Sequence, residues 1–181
     1  MHKDLIYTVE IPEGVKVKLD GKTLIVNGKR GENKRSFHYP KVGLKIEGDN
    51  IVLSCESATK SEKSIMGVFS AHITNMLKGV KDGFTYKLKI CSGHFPMSAE
   101  VKGNKIIISN FLGEKKPRTA KIMDGVRVNI DGDLIVVDGY NKEFVGQTSA
   151  NIEKSTNISN RDKRVFQDGI FMIDKGGKLI H

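Results

Sequence analysis

Apolar and polar residues alternate with period two along much of the first sixty residues, which predicts short β-strands with one buried face. Asp20-Gly21 separates two such runs and predicts a hairpin turn. Strands are expected at 15–19, 23–27, 36–39, 43–47 and 50–55. The stretch 28–35, rich in Gly, Lys and Arg, is expected to be a loop.

The period changes to that of a helix after Thr59. Thr59 followed three residues later by Glu62 is the capping-box pattern of a helix start. Apolar side chains then recur at helical spacing as far as Gly79, namely at Ile65, Phe69, Ile73, Met76 and Leu77. The first part of the chain is therefore predicted to be a meander of strands closed by one helix.

The second half of the chain repeats the first. One constant offset pairs Gly21 with Gly103, the stretch 24–26 with 106–108, Gly31-Glu32 with Gly113-Glu114, and Lys34 with Lys116. A second, slightly smaller offset pairs Gly67, Ala71 and Ile73 with Gly146, Ala150 and Ile152. Matches in strand, loop and helix in the same order indicate a tandem duplication.

This duplication predicts the fold class and the domains. We expect an α+β protein with two tandem duplicated domains, 1–81 and 82–181, each an antiparallel-rich sheet packed against one main helix. The small residues Gly67, Ala71, Gly146 and Ala150 are expected to let each helix approach its sheet closely.

The charge of the chain favours a polyanionic partner. Lys and Arg number 30 against 21 Asp and Glu, a net charge of +9, and the excess is spread over both halves. The two cysteines, Cys55 and Cys91, form no Cys-x-x-Cys pair, so no structural metal is expected. No apolar run is long enough for a signal peptide or a membrane span, so a cytoplasmic protein without membrane contacts is expected.

An enzyme is poorly supported by the sequence. The chain has no Gly-x-Ser-x-Gly elbow, Walker loop or His-Glu-x-x-His helix, so no catalytic residue and no cofactor is expected. The remaining enzymatic hypothesis requires a pocket that joins His94, Cys91 and a carboxylate. Glu32 and Glu114 occupy matched loops of the duplication, which favours a role in the fold over acid–base chemistry.

Three basic segments carry the case for nucleic acid, and one of them is the predicted loop 28–35 with Lys29, Arg30, Lys34 and Arg35. The loop 110–118 contains Lys115, Lys116 and Arg118, and the segment around Arg161, Lys163 and Arg164 is expected to be anchored by Phe166 and Ile170. Aromatic residues are few, which favours recognition of folded RNA through its backbone over base stacking. The alternatives are an ordinary solvated face or a stand-alone protein-interaction module with a duplicated sheet.

Several motifs resemble those of one protein family. They are the tail Arg164-Val-Phe-Gln-Asp-Gly-Ile-Phe-Met172, the loop Asn110-Phe-Leu-Gly-Glu-Lys115, Gly93-His-Phe-Pro96, and Asn75-Met-Leu-Lys-Gly-Val80. In these the chain resembles the large-subunit ribosomal protein numbered six in bacteria and nine in eukaryotes, in its archaeal and eukaryotic branch. It departs from the family pattern at Lys154, where glutamine is usual, and at Phe171, where tyrosine is usual.

The resemblance implies a structural constituent of the large ribosomal subunit. It implies partners in large-subunit rRNA and neighbouring large-subunit ribosomal proteins, with translational GTPases docking nearby, and a cytoplasmic location in the large ribosomal subunit. Carried onto this chain, the RNA-binding residues are Lys115, Lys116, Arg118, Lys154, Arg161, Lys163, Arg164 and Lys175.

Overall fold

The computed structural model describes residues 3–180, which divide into two compact units on either side of the Gly83–Phe84 bond. Each unit is α+β and contains two small antiparallel sheets and one long helix. The predicted fold class is confirmed. Within the described residues, no helix is both long and apolar enough to cross a membrane.

The first unit, unit 1, follows the predicted meander. Its elements are β1 (Lys3–Glu10), β2 (Lys16–Asp20), β3 (Thr23–Gly28), β4 (Gly31–Ser36), β5 (Gly43–Glu47), β6 (Asn50–Ala58) and α1 (Lys60–Lys81). One sheet has the order β2-β3-β4 and the other has the order β1-β6-β5. The core includes Leu24 of β3, Leu53 of β6 and Ile73 of α1, all fully buried.

The second unit, unit 2, repeats this order and adds a strand. Its elements are β7 (Phe84–Cys91), β8 (Ser98–Lys102), β9 (Lys105–Ser109), a 3-10 turn (Phe111–Gly113), β10 (Arg118–Lys121), β11 (Val126–Asp131), β12 (Leu134–Gly139), α2 (Lys142–Ser155) and β13 (Gly169–Lys175). The sheets have the orders β10-β9-β8 and β11-β12-β7-β13. The fourth strand, β13, is made by the C-terminal segment.

The start of α1 is the one that the sequence predicted. Thr59 is the N-cap, and the Glu62 carboxylate accepts a hydrogen bond from the Thr59 backbone N–H at 2.9 Å. Hydrogen bonds from the Thr59 side chain and backbone are the main reasons why the pKa of Glu62 lies below its ordinary value. The helix ends at Lys81, and the following Gly83 has a φ of +84° that favours glycine.

The prediction of a loop at 28–35 is wrong, because most of this stretch forms the strand β4. Only Lys29 and Arg30 turn between Gly28 and Gly31, and these two glycines face each other in the β3–β4 ladder. The strand expected at 36–39 is wrong for the same reason. β4 is an edge strand with charged, outward-facing side chains, so it lacks the apolar alternation that marks a strand in sequence.

The duplication is therefore interrupted by an insertion in unit 2. Thr23 of β3 matches Lys105 of β9 at the first constant offset, and that offset would match Ser36, the ladder partner of Thr23, with Arg118. The ladder partner of Lys105 is Lys121 instead, farther along the chain. Glu32 lies in β4, whereas Glu114 lies in the longer loop before β10. The expected equivalence of Glu32 and Glu114 is wrong.

Small residues have a different role in packing from the one expected. Gly67 and Ala71 are exposed on α1, so they do not bring that helix close to its sheet. The close approach in unit 1 is at Gly28, where a Cβ atom would lie 2.6 Å from the carbonyl oxygen of Val80. In unit 2, the Cβ position of Gly146 lies in ordinary contact with the Tyr86 ring, at 3.8 Å.

Candidate nucleic-acid interface

The C-terminal segment is fixed to the end of β7 by Asp168. Its carboxylate, 3% exposed, accepts hydrogen bonds from the backbone N–H groups of Gly93 at 2.6 Å and His94 at 3.0 Å. The carboxylate also accepts a hydrogen bond from Nδ1 of the His94 ring. Burial alone would raise the pKa of Asp168, but these donors outweigh it and hold the pKa below the ordinary value.

The same segment is joined to α2 by Thr156. The buried Thr156 hydroxyl accepts a hydrogen bond from the Ile170 N–H at 2.9 Å and donates to the carbonyl of Glu153 at 3.1 Å. Ile170 is fully buried, as the sequence predicted. Residues 157–168 are thus a loop whose two ends are both attached to the body of unit 2.

A stack of three side chains orients the first cation of the loop. The rings of His94 and Phe166 are stacked, with centroids 4.9 Å apart and planes at 21°, and the Arg161 guanidinium lies 4.7 Å from the centroid of Phe166. The Phe166 ring is half-buried because its partners are themselves near the surface. Cation–π attraction therefore holds Arg161 in place without neutralising its charge.

Arg118 has an internal role. Its Nε and Nη2 donate to the two carboxylate oxygens of Glu114, at 2.8 and 2.6 Å, and its Nη1 donates to the backbone carbonyls of Ser155 and Asn157. The guanidinium also lies 4.2 Å from the centroid of the buried Phe111 ring. Arg118 thus ties the loop 110–117 to the C-terminal end of α2.

Glu114 is the acidic group between two arginines. The hydrogen bond from Arg118 is the main reason why its pKa lies below the ordinary value, and the nearby charge of Arg161 lowers the pKa further. The Arg118 guanidinium, which follows the loop 110–117, also donates to the Asn157 carbonyl at the start of the loop 157–168. These two loops, which are distant in the chain, therefore adjoin each other.

The other predicted cations are available to a ligand to different degrees. Lys115, Lys116, Lys154 and Lys163 are exposed. Arg164, whose side chain is 90% exposed, donates through Nε and Nη2 to Asp162, which lowers the pKa of Asp162. The Nη1 amino group of Arg164 takes no part in these bonds, so this side chain can also reach a further anion.

A cleft of about 840 Å³ opens beside these cations. Its walls come from the end of β7, the C-terminal end of α2 and the loop 157–168, and they include Lys154, Lys163, His94, Asn157, Gln167 and Phe171. Phe171 is 44% exposed on this wall. The cleft combines two phenylalanine rings, side-chain amides, two ammonium groups and the carboxylates of Glu153 and Asp168.

The structure brings most of the predicted site residues together and leaves one apart. Lys154 and Lys163 share the cleft, and Arg161 and Arg118 both adjoin Glu114. Lys175 is the last residue of β13, four residues beyond Phe171 of the cleft wall, so it lies about 13 Å farther along the strand at the ordinary rise. The cleft amides at 157 and 167 were missed because amides in loops carry no pattern in the sequence.

The pairing of His94 with a carboxylate matches part of the enzymatic hypothesis. Cys91 lies in the wall of the same cleft. In this structure, however, the His94 ring is held on one edge by Asp168 and stacked on Phe166, which are contacts that anchor the loop 157–168. Among the described residues there is no group of His, Cys, Asp and Glu that could hold a metal ion.

Comparison with known proteins gives one consistent family. The family model for ribosomal protein L6 matches residues 11–83 and 95–169, one match in each unit. The chain is 46% identical over 172 residues to the large ribosomal subunit protein uL6 of Methanococcus vannielii, covering 95% of this chain and 94% of the relative. It is 45% identical over 175 residues to that of Methanosarcina mazei, covering 97% and 99%. The corresponding protein of Methanobrevibacter smithii is 47% identical over 167 residues, covering 92% and 94%.

Proposed function

The chain belongs to the ribosomal protein L6 family, and we propose from that premise that it binds large-subunit rRNA mainly through unit 2. As an archaeal-type member it is a structural constituent of the large ribosomal subunit and acts in translation in the cytoplasm. It is not an enzyme, because the family is structural. Its partners are rRNA and other proteins of the large subunit.

One observation supports the choice of the RNA-binding surface. Arg161 is held over Phe166, and Lys154 and Lys163 line the same cleft as Phe166. The exposed Lys115 and Lys116 follow Glu114, whose pKa is lowered by the charge of Arg161. Cations that are already oriented lose little side-chain freedom when they bind phosphates. The surface that we propose for rRNA, hereafter the basic face, consists of Lys115, Lys116, Lys154, Arg161, Lys163 and Arg164.

Arg118 and Lys175 differ from the residues of the basic face. The donors of Arg118 are used within unit 2, so we propose that it positions the loop 110–117 and that its contact with RNA is minor. Lys175 lies at the other end of β13, so we propose that it contacts a separate phosphate. The resemblance supports a location near the docking region of translational GTPases.

Sedimentation of the tagged chain from a cell lysate tests the assignment to the subunit. We expect the chain to sediment with whole ribosomes and to stay with the large-subunit peak after magnesium is chelated and the subunits separate. Chain that remains at the top of both gradients would contradict a ribosomal role. A chain that follows the small subunit would contradict the assignment to the large one.

A further inference from the structure

The strands β1 and β7 occupy the same place in the two units. Val9 of β1 lies opposite Ile51, and Leu88 of β7 lies opposite the matching residue Ile135. By the same register, Tyr7 matches Tyr86 and Leu5 matches Phe84. The duplication thus supplies an internal control for the surroundings of β1.

The two strands differ in one respect, the number of strands beside them. β7 lies between β12 and β13, whereas β1 pairs with β6 alone. The chain passes from α1 directly into β7, so unit 1 has no segment equivalent to β13. Among the described residues, β1 makes no backbone hydrogen bond to any strand other than β6.

The burial of the matched residues shows what the additional strand does. Phe84, Tyr86 and Leu88 of β7 are all buried, with at most 7% exposed. Their counterparts Leu5, Tyr7 and Val9 are only half-buried, although they pack against the core of unit 1. The missing neighbour leaves apolar surface uncovered at the edge of the sheet.

The edge itself is not protected in the usual ways. Edge strands commonly carry Lys, Pro or a bulge that prevents pairing with another chain. Beyond an irregularity between Lys3 and Leu5, the pairing of β1 with β6 is continuous to Glu10, and residues 4–10 contain no Lys, Arg or Pro. Ile6, on the outer face of this stretch, is 68% exposed.

We propose that the outer edge of β1 binds an extended segment of a neighbouring large-subunit protein as a fourth, antiparallel strand. The segment would hydrogen-bond to the β1 backbone and place alternate apolar side chains over Leu5, Tyr7 and Val9, as β13 does for β7. Cations near its ends would match Asp4 and Glu10. The choice of a ribosomal protein as the partner rests on the function proposed above.

Two other occupants fit this edge less well. RNA would place phosphates beside Asp4 and Glu10, in a stretch that contains no cation. A second copy of this chain, paired with its apolar residues centred on Tyr7, would set Asp4 opposite Glu10 at both ends of the ladder. A different polypeptide avoids both repulsions.

Photochemical cross-linking in purified large subunits tests the proposal. The probe is benzoylphenylalanine incorporated in place of Thr8, an exposed residue of β1, and the control is the same probe in place of Lys45 on β5. β5 is a suitable control because it is the other edge of the same sheet, and its counterpart β11 also has no further strand. With the probe at position 8, we expect a protein adduct that mass spectrometry maps to a segment with alternating apolar residues. With the probe at position 45, we expect no such adduct.

Hydrogen exchange gives an independent readout of strand addition. The amides of β1 should exchange on the order of 100-fold more slowly in the large subunit than in the free chain, while those of β5 change little. Adducts at position 8 to RNA, to a second copy of the chain or to nothing would overturn the proposal, as would unchanged exchange in β1. Sedimentation distinguishes failure of this inference from failure of the function proposed above. A chain that sediments outside the large subunit contradicts the proposed function, whereas a chain in the large subunit without the protein adduct contradicts only the strand addition.

Discussion

Asp168 and His94 are distant in the chain and are joined twice, once through the His94 backbone N–H at 3.0 Å and once through the His94 ring. This relationship fixes the loop 157–168 against the end of β7. His94 also stacks on Phe166, and the Arg161 guanidinium lies over the Phe166 ring. The contact between Asp168 and His94 therefore helps to position Arg161, a cation of the basic face.

Replacing Asp168 by Asn should destabilise unit 2 by about 2 kcal/mol, because the N–H groups of Gly93 and His94 lose a charged acceptor. RNA affinity should fall as well, since the loop 157–168 loosens. Urea denaturation and RNA titration measure the two effects. The Asp131→Asn variant, at an exposed position of β11, is the matched control and should leave stability nearly unchanged; equal effects of both substitutions would contradict the anchoring role of Asp168.

The stability of the chain should decrease in acid in a way that depends on Asp168. Its pKa in the folded state is below the ordinary value, so its contribution is complete above about pH 4 and is lost as the pH falls through the folded-state pKa. Thermal denaturation between pH 7 and pH 2 measures the loss. Asp168→Asn should flatten the acid limb in part, since the lowered pKa values of Glu114 and Asp162 remain. An identical profile for variant and parent would argue against the His94 pairing.

Replacing Arg161, Lys163 and Arg164 together by Gln should weaken binding to rRNA without unfolding the chain. The slope of log K against log salt should become less steep by about 2 to 3, because up to three phosphate contacts are lost. Filter binding at several salt concentrations measures the slope, and circular dichroism checks the fold. The control replaces three exposed lysines of unit 1 by Gln, namely Lys16, Lys18 and Lys45. It makes the same charge change and should leave the slope nearly as in the parent. Equal slopes for the two triples would remove the basic face from the proposal.

Arg118→Lys should behave like a loss of structure despite the conserved charge. An ammonium group cannot replace the four guanidinium hydrogen bonds and the contact with Phe111, so unfolding should become easier by about 2 kcal/mol. Lys116→Gln, at an exposed position of the same loop, should lower RNA affinity alone. Chemical denaturation and RNA titration of both variants distinguish the roles. A fully stable Arg118→Lys protein with weakened RNA binding would make Arg118 a direct RNA contact.

Phe166→Leu should distinguish the effect of ring stacking on RNA affinity from the effect of apolar burial on stability. Leucine keeps most of the apolar contact but removes the face on which Arg161 and His94 lie, so the loss of RNA affinity should exceed the loss of stability. Phe166→Ala should lower stability by about 1 to 2 kcal/mol, less than the roughly 3 kcal/mol of a fully buried ring, because Phe166 is half-buried. Full affinity in Phe166→Leu would show that the stack does not position Arg161 for RNA.

The sequence by itself determined the features that depend on local pattern. The capping residues Thr59 and Glu62, the helical spacing of α1 and the alternation in β2 are visible in neighbouring residues. The second copy is visible as a repeat of the same order of residues. The cations of the basic face were predicted in this way too, since charge clusters need no knowledge of the fold, except Lys154, which the family resemblance supplied. Burial of Ile170 followed from the apolar run around it.

Tertiary structure decided the features that depend on pairing between distant segments. β4 has polar side chains and is a strand only because β3 supplies its hydrogen bonds, so its sequence resembles a loop. In the sequence, Arg118 looks like one more cation of a basic loop. In the folded chain, its Nη1 donors are used by carbonyls at the end of α2. In the sequence, Asp168 looks like the first residue of an Asp-Gly turn. In the folded chain, it is buried and accepts hydrogen bonds from Gly93 and His94. Hydrogen-bond partners that lie far apart in the chain are set by the register of the sheets and the packing of the helix, and no local pattern of residues encodes them.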